Sequence, residues 1–191
     1  TIKAQPRDIS NNLITAYHFE AEDLYSANGN RYITDRSGHE HHLLLMGNAT
    51  ADGTLDLTRN NSTTFTTNGY AIVPAQVMDS LRSYTILLEA TPKSLNKAPR
   101  LYDFGYNSGN SLFLRANSLS AGIKYNNGST TMINSSAALT IENSYKLAVT
   151  YNARTGITSI YIDGQLVANG TENINEPYMI AANAPCTRNY I

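Results

Sequence analysis

Acidic side chains near the start of the chain have the spacing that glycoside hydrolysis uses. The segment Glu20-Ala-Glu22-Asp23 places two carboxylates at positions i and i+2, which share one face of an extended strand. Retaining glycosidases need an acid and a nucleophile about 5 Å apart, which such a pair can supply. Leu24 and Tyr25 follow, so no further acid continues the pair along the strand. A solvated strand end is therefore favoured over a catalytic pair.

Histidines cluster just after these acids and raise the question of a transition metal. His39-Glu-His41-His42 contains a His-x-His pair, which on a strand directs two imidazoles to one face, as a zinc site requires. The sequence offers no evident third ligand and no Gly-x-Ser-x-Gly nucleophile motif. A polar loop that enters a strand is the favoured interpretation.

A segment from residue 100 to residue 127 has the composition of a sugar-binding surface, which combines aromatic faces with planar hydrogen-bonding groups. Strand alternation places Tyr102, Phe104 and Tyr106 on one face and Asp103 on the other, so Tyr102 and Asp103 cannot line the same surface. The alternative is that Tyr102 and Phe104 belong to the core and that the Asn-rich stretches are ordinary loops. The predicted ligand-binding residues are Arg100, Tyr102, Asp103, Tyr106, Asn107, Arg115, Lys124 and Tyr125.

The composition favours one extracellular β-domain. The 191 residues are 41% hydrophobic but only 15% charged, and Asn, Ser, Thr and Tyr take the place of charged residues. The net charge of −1, without a basic block, argues against a nucleic-acid partner. The single cysteine, Cys186, excludes a disulfide within the chain. No apolar run approaches the roughly 20 residues that span a bilayer.

Period-two patterning between turn residues predicts about a dozen short strands, which is typical of a two-sheet sandwich. The clearest unit is a hairpin of Tyr145 to Tyr151 and Ile157 to Asp163, joined by a turn that ends in Gly156. Only Ala75 to Leu81 has enough helix formers for a single turn. The other predicted strands are Leu13 to Phe19, Leu43 to Met46, Gly69 to Val73, Tyr84 to Thr91, Leu101 to Tyr106, Ser111 to Arg115, Leu119 to Tyr125 and Thr130 to Ile133.

Three of these predicted segments, in their order along the chain, resemble the laminin-G-like domains that bacteria attach to glycan-active proteins. The most specific segment is Tyr145 to Val167, which is similar to the strand-turn-strand signature of that family. Two others agree with it: Leu13 to Glu20, with the Asp-x-Ser-Gly turn at 35–38, and Ser83 to Pro92, followed by Arg100 to Gly105. The resemblance implies an all-β fold, namely a two-sheet antiparallel β-sandwich, the jelly roll of the concanavalin A-like lectin and glucanase superfamily.

The sequence departs from the family pattern in two respects. It has no tryptophan, and Tyr17, Leu88 and Tyr145 occupy positions where the family often carries one. Family members also close with a strand that carries acidic residues, and this sequence stops at 189–191, where that stretch should begin. Because the resemblance begins at Leu13, we expect residues 1–12 to be a linker or processed N-terminus. Residues 13–191 are expected to be one jelly roll that lacks its usual closing strand or has it supplied by another segment.

Calcium is the cofactor that the resemblance implies, because jelly rolls of this superfamily often hold a structural or ligand-bridging calcium ion. Hard cations take carboxylate and carbonyl oxygens from loops. The candidate ligands are Glu20 and Asp35. For Asp35 an Asx-turn, in which the carboxylate binds the backbone nearby, is an equally weighted alternative.

The resemblance implies that the domain binds a ligand and does not catalyse a reaction. We expect a carbohydrate-binding module of a secreted or surface bacterial protein that acts on polysaccharides. Its partners would be a polysaccharide or oligosaccharide and the neighbouring domains of the same protein. One alternative is a structural or adhesive scaffold without a ligand of its own, which small residues or a covering loop on the concave face would favour. The other is a glycoside hydrolase, which would need two carboxylates that converge in a cleft.

Overall fold

The computed structural model describes residues 12–57, 69–77, 83–96, 99–105, 111–124, 130–171 and 188–191. The chain divides into two compact units, Thr1–Val77 and Met78–Ile191. Within each unit, the described strand pairs are antiparallel. Regular helix among the described residues is limited to short 3₁₀ turns, among them Ala21–Asp23 and Ala75–Val77.

The first unit is built on four neighbouring strands in the order β1-β2-β3-β6, with a separate β4-β5 ladder. Asn28 and Gly29 join β1 to β2 and both have positive φ, 52° and 76°, as a two-residue type I′ hairpin turn requires. The strands are β1 (Leu24–Ala27), β2 (Asn30–Ile33), β3 (Leu43–Met46), β4 (Thr50–Ala51), β5 (Leu55–Asp56) and β6 (Tyr70–Ile72).

The two faces of this sheet differ in burial. One face forms the core of the unit, where Ile33, Leu43, Leu45 and Ala71 are at most 4% exposed. The other face carries a row that runs across all four strands in register and is only half-buried. Its members are Tyr25, Tyr32, Leu44 and Ile72.

The predicted strand Leu13 to Phe19 is wrong, because this segment uses its backbone groups differently. The backbone N–H of Ala16 donates to the Asp35 carboxylate at 2.9 Å, and the Ala16 carbonyl accepts from Arg36 N at 2.8 Å. Only an isolated bridge between Tyr17 and Asp35 remains of a ladder. The Asp35 carboxylate thus binds a backbone N–H group that would otherwise pair with a neighbouring strand.

The second unit contains two sheets. One has the order β15-β8-β9-β10-β11 and the other β14-β13-β12-β7. The strands are β7 (Tyr84–Ala90), β8 (Arg100–Gly105), β9 (Ser111–Arg115), β10 (Ser120–Lys124), β11 (Thr130–Asn134), β12 (Tyr145–Asn152), β13 (Ile157–Ile162), β14 (Gln165–Thr171) and β15 (Arg188–Tyr190).

These two sheets pack face to face. A Cβ added at Gly170 in β14 would lie 2.5 Å from Cδ1 of Ile133 in β11, so the glycine is what allows the two strands to approach. Side chains from both sheets fill the space between them and are almost fully buried; they include Phe104, Leu112, Leu114, Leu147, Val149 and Ile160. The predicted all-β, two-sheet antiparallel sandwich is confirmed.

The predicted hairpin of β12 and β13 is also confirmed, with Leu147 opposite Ile162 and Asn152 opposite Ile157. Asp163 extends the pairing, since its N–H donates to Lys146 O at 2.7 Å and its carboxylate accepts from Lys146 N at 2.9 Å. At the other end of the chain β15 pairs with β8, Tyr190 lying opposite Asp103.

Candidate functional site

Arg100, Asp103 and Arg115 lie on one face of the sheet formed by β15, β8, β9, β10 and β11. Asp103 lies opposite Phe113, and Arg100 lies opposite Arg115. Residues 100 and 103 would point to opposite faces of a regular strand. The pairing register shifts between Arg100 and Tyr102, and this irregularity brings Arg100 to the face that carries Asp103.

The ring of Phe113 is the floor of this group of side chains. The guanidinium carbon of Arg100 lies 4.4 Å from the centre of the ring and that of Arg115 lies 5.1 Å away, both within cation–π range. Phe113 is 1% exposed, and its ring occupies the space that a side chain at Gly122 would need. The arginines therefore present their polar groups outward from an apolar base. We call Arg100, Asp103, Phe113 and Arg115 the arginine face.

The charges of the arginine face are only partly balanced. Arg100 forms an ion pair with Asp103, and the two side chains are 33% and 32% exposed. A pair this exposed adds little to stability. Arg115 is half-buried, and its Nε has no hydrogen-bond partner among the described residues. Among these three side chains, two guanidinium groups and one carboxylate leave one net positive charge.

Of the predicted ligand-binding residues, the structure brings together Arg100, Asp103 and Arg115. It places Tyr102 elsewhere: this side chain is 2% exposed and stacks on Phe104, with ring centres 5.0 Å apart, on the core side of β8. The backbone of Lys124 lies at the end of β10, opposite Ser111. Tyr106, Asn107 and Tyr125 lie outside the described residues.

Sequence reasoning missed Phe113, the residue that supports both guanidinium groups. It stands in the apolar run Leu-Phe-Leu at 112–114, which gives no indication that the middle side chain faces away from the sandwich core. The signal that could have found it is Gly122 in the next strand, because a glycine within a strand often marks close approach by a neighbouring group.

The carboxylate of Asp35 is occupied by protein donors. Oδ1 accepts from the N–H groups of Ala16 and Ser37, both at 2.9 Å. Oδ2 accepts from the Ser37 hydroxyl at 2.7 Å and from His41 N at 3.0 Å. Burial raises the pKa of Asp35, but these hydrogen bonds outweigh it and lower the pKa to about 2. The contact with Ser37 N is the Asx-turn that the sequence offered as the alternative to a metal ligand.

Glu20, the other predicted calcium ligand, is exposed and precedes the 3₁₀ turn Ala21–Asp23. Nearby, Asp23 is 0% exposed and its carboxylate is held by Arg36, so it is not a solvent-accessible acid. Across the parts of the chain that the structure describes, no three His, Cys, Asp or Glu side chains are grouped as metal ligands. Calcium remains a prediction.

Within the described ranges, no helix has the length and apolar character to cross a membrane. The sequence matches the family model described as the concanavalin A-like lectin/glucanases superfamily, of laminin-G type, over residues 65–186. No curated protein matches the chain. The match includes β6 through β14 and with them all four residues of the arginine face.

Several solved structures are similar to this chain at low identity. Domain 4 of AbnA, a GH43 extracellular arabinanase from Geobacillus stearothermophilus solved with arabinotriose, has a TM-score of 0.54 and 14% identity, covering 91% of this chain and 79% of that one. The binding domain of Paraclostridial Mosquitocidal Protein 1 has a TM-score of 0.62 and 13% identity, covering 96% and 44%.

The CBM40 module of the Ruminococcus gnavus IT-sialidase, bound to α2,3-sialyllactose, has a TM-score of 0.48 and 15% identity, covering 60% of this chain and 65% of that one. This chain thus spans less than two thirds of the sialidase module and under half of the toxin domain. At these identities the arabinanase and toxin domains show a shared fold with this chain.

Proposed function

The chain belongs to the concanavalin A-like lectin/glucanases superfamily, and we propose that it is a non-catalytic module that binds a polysaccharide or oligosaccharide. The observation that carries this proposal is the arginine face, where Arg100, Asp103 and Arg115 converge over Phe113. The arabinanase domain, which shares the fold, was solved with a bound trisaccharide and supports the class of ligand.

The arginine face offers what a saccharide needs for orientation. Guanidinium N–H groups donate to hydroxyl or carboxylate oxygens, and the Asp103 carboxylate accepts from hydroxyl groups. Both arginines are held against a buried ring, so less rotamer freedom is lost when a ligand binds. A sheet surface buries only part of a hydrophilic ligand, and we therefore expect dissociation constants of roughly micromolar to millimolar.

A screen of the folded domain against immobilised glycans tests the proposal. We expect binding to one class of polysaccharide, weakened roughly tenfold or more by Arg115→Ala, because a charge-assisted hydrogen bond is lost. Arg154→Ala is the matched control, since Arg154 is an exposed arginine in the turn between β12 and β13. Absence of binding by a protein with a cooperative thermal transition would reject the proposal.

Calcium at Glu20 and Asp35 is part of the proposal and is tested in the same screen. A calcium ion there would have to displace some of the donors that now fill the Asp35 carboxylate. Binding that is lost with a chelator and with Asp35→Asn would support the ion. Binding that is insensitive to the chelator would leave Asp35 as a turn-capping residue.

We also propose that the module serves a secreted or surface protein that handles glycans. The low charge content and the strand-rich, Asn-rich and Thr-rich composition suit an extracellular domain. The arabinanase whose fourth domain shares the fold is extracellular. Proteinase accessibility of the parent protein on intact cells tests this location: cleavage without lysis is expected, and protection until lysis would contradict it.

A scaffold role is the second candidate, and a row on the outer face of the four-stranded sheet favours it. Leu87, Ala148, Tyr161 and Leu166 lie in register across β7, β12, β13 and β14. Leu87 is 63% exposed and Leu166 is 52% exposed. Such a row can pack against a neighbouring domain. In the parent protein, Leu87→Ser with Leu166→Ser should speed proteolytic separation of this module while glycan binding is unchanged; equal rates would remove the scaffold role.

A further inference from the structure

An aromatic pair on the half-buried face of the first unit remains outside the proposed function. Tyr25 in β1 and Tyr32 in β2 are direct cross-strand neighbours, and their rings stack with centres 5.3 Å apart and an angle of 19° between the planes. Neither ring belongs to the core, which lies on the other face of the same strands. The tight turn at Asn28 and Gly29 fixes the register that brings the two rings together.

A third ring joins this pair at a defined angle. His42 lies edge-on to Tyr25, with ring centres 5.5 Å apart and an interplanar angle of 83°. The backbone N–H of Asp35 donates to Nδ1 of His42 at 3.1 Å. In the neutral imidazole the proton is then on Nε2, so the ring presents a hydrogen-bond donor beside the aromatic pair.

The loop that carries His42 is fixed from several sides. Its backbone is held by the Asp35 carboxylate at His41 N and by the Tyr17 hydroxyl, which donates to His41 O at 2.6 Å. Burial raises the pKa of Tyr17 to about 12, so this phenol stays protonated and continues to donate. The imidazole orientation is thus set by the fold before any ligand arrives.

Stacked aromatic faces with one oriented polar donor are the elements from which sugar sites are assembled. We propose that Tyr25, Tyr32 and His42 form a second saccharide contact, which binds the apolar C–H face of a neutral sugar ring while His42 donates to one of its hydroxyl groups. This inference rests on the proposed function for the class of ligand. It differs in chemistry from the arginine face, because none of its three side chains needs to be charged.

The absence of tryptophan from the sequence makes a direct test available. Tyr32→Trp keeps a flat ring in the pair and makes it the sole indole of the protein. Titration with soluble arabinan, xylan, mixed-linkage β-glucan and galactomannan should give a saturable shift of its emission with at least one of them. Tyr161→Trp in β13 is the matched reporter, and it should not respond to the same polymer.

Variants in the Tyr32→Trp background locate the contact. Tyr25→Ala should weaken the titration roughly tenfold, and Tyr25→Phe, which keeps the ring, should leave it within about twofold. Equal melting temperatures of the alanine and phenylalanine variants show that the hairpin is intact. If Tyr25→Ala titrates like its parent, or if both reporters respond alike, the second contact is overturned.

Arg115→Ala in the same background separates this inference from the proposed function. The tryptophan response should persist, because Arg115 belongs to the other unit and to the arginine face. No tryptophan response, together with glycan binding that Arg115→Ala abolishes, would overturn the second contact and keep the proposed function. A response that persists while Arg115→Ala leaves all glycan binding unchanged would support the second contact and reject the arginine face.

Discussion

Arg100 reaches the arginine face through one irregularity in strand pairing. Residue types alone selected Arg100, Asp103 and Arg115 as candidate ligand-binding residues, and the structure places these three together. The alternation rule could not predict that Arg100 and Asp103 share a face, because the register shift between Arg100 and Tyr102 is set by pairing with β9. The same rule assigned Tyr102 correctly to the face opposite Asp103, and that face is the core.

Gly122 controls the position of Phe113 and offers the first prediction. A Cβ at this position would lie 2.6 Å from Cζ of Phe113, so Gly122→Ala must displace the ring that supports both guanidinium groups. We expect a loss of stability of about 1 to 3 kcal/mol, measured by urea unfolding, and weaker glycan binding.

Adding Phe113→Leu to Gly122→Ala separates the two effects. The smaller side chain should restore most of the stability, since the clash is with the far edge of the ring. It should not restore binding, because the cation–π contacts to Arg100 and Arg115 are gone. Full recovery of binding by the double variant would show that Phe113 is not the support of the site.

Asp35 gives a pH-dependent prediction. Its folded-state pKa of about 2 lies below the unfolded value of 3.8, so its contribution to stability is present above pH 3.8 and is lost as the pH falls towards 2. Asp35→Asn should cost roughly 2 kcal/mol at pH 7, because an amide cannot accept from all four donors. Below pH 3.8, the free energy of unfolding of Asp35→Asn should also depend less on pH than that of the unmodified protein.

Urea unfolding at pH 7, 4 and 2.5 measures this effect, with Asp52→Asn as the control at an exposed aspartate of the same unit. The same pH dependence in Asp35→Asn as in the unmodified protein would mean that the hydrogen bonds to the carboxylate do not lower its pKa.

Strands with clear apolar alternation are the elements that sequence patterning predicts best in this chain. The β12–β13 hairpin has long alternating strands and a glycine turn, and it was located to within a residue. The β1–β2 hairpin was missed although Asn28-Gly29 is a strong turn signal, because its four-residue strands carry almost no apolar alternation. Leu13 to Phe19 has a strand pattern, but the side chain of Asp35 displaces a strand partner there.

Packing between the two sheets of the second unit gives a prediction at this scale. Gly170→Ala should destabilise the unit by about 1 to 3 kcal/mol, because the new methyl group meets Cδ1 of Ile133 at 2.5 Å. Ile133→Val removes that carbon. A double-mutant cycle by urea unfolding should therefore show positive coupling of about 1 kcal/mol or more, whereas strictly additive effects would contradict the contact.

For the whole molecule, comparison with a family predicts the fold over a longer stretch of chain than the chemistry of individual residues does. The family match spans residues 65–186 and agrees with the resemblance seen between Ser83 and Val167. It does not include the strands β1 to β5, where the Tyr25 and Tyr32 pair lies. No pattern in the sequence joins those tyrosines to His42, because their contact depends on the loop that Asp35 organises.

The weak single-site binding that we expect leads to a prediction for the module as a whole. Two copies joined by a flexible linker should bind an immobilised polysaccharide about 10²-fold more tightly than one copy, since the second attachment is intramolecular. Surface plasmon resonance on a dense polysaccharide layer measures this gain. Arg115→Ala in both copies should lower the affinity of the tandem form, and an equal affinity of the single and tandem forms would argue against a repeated-epitope ligand.

The most direct test of the central claim is to map the bound glycan by amide chemical shifts. Titration of the labelled protein with the best ligand from the screen should move the amides of β8, β9 and β10 around Arg100, Asp103 and Arg115. A neutral polymer should also move those of β1 and β2. Shifts confined to β7, β12, β13 and β14 would contradict the account, because they would place the ligand on the four-stranded sheet and away from both proposed contacts.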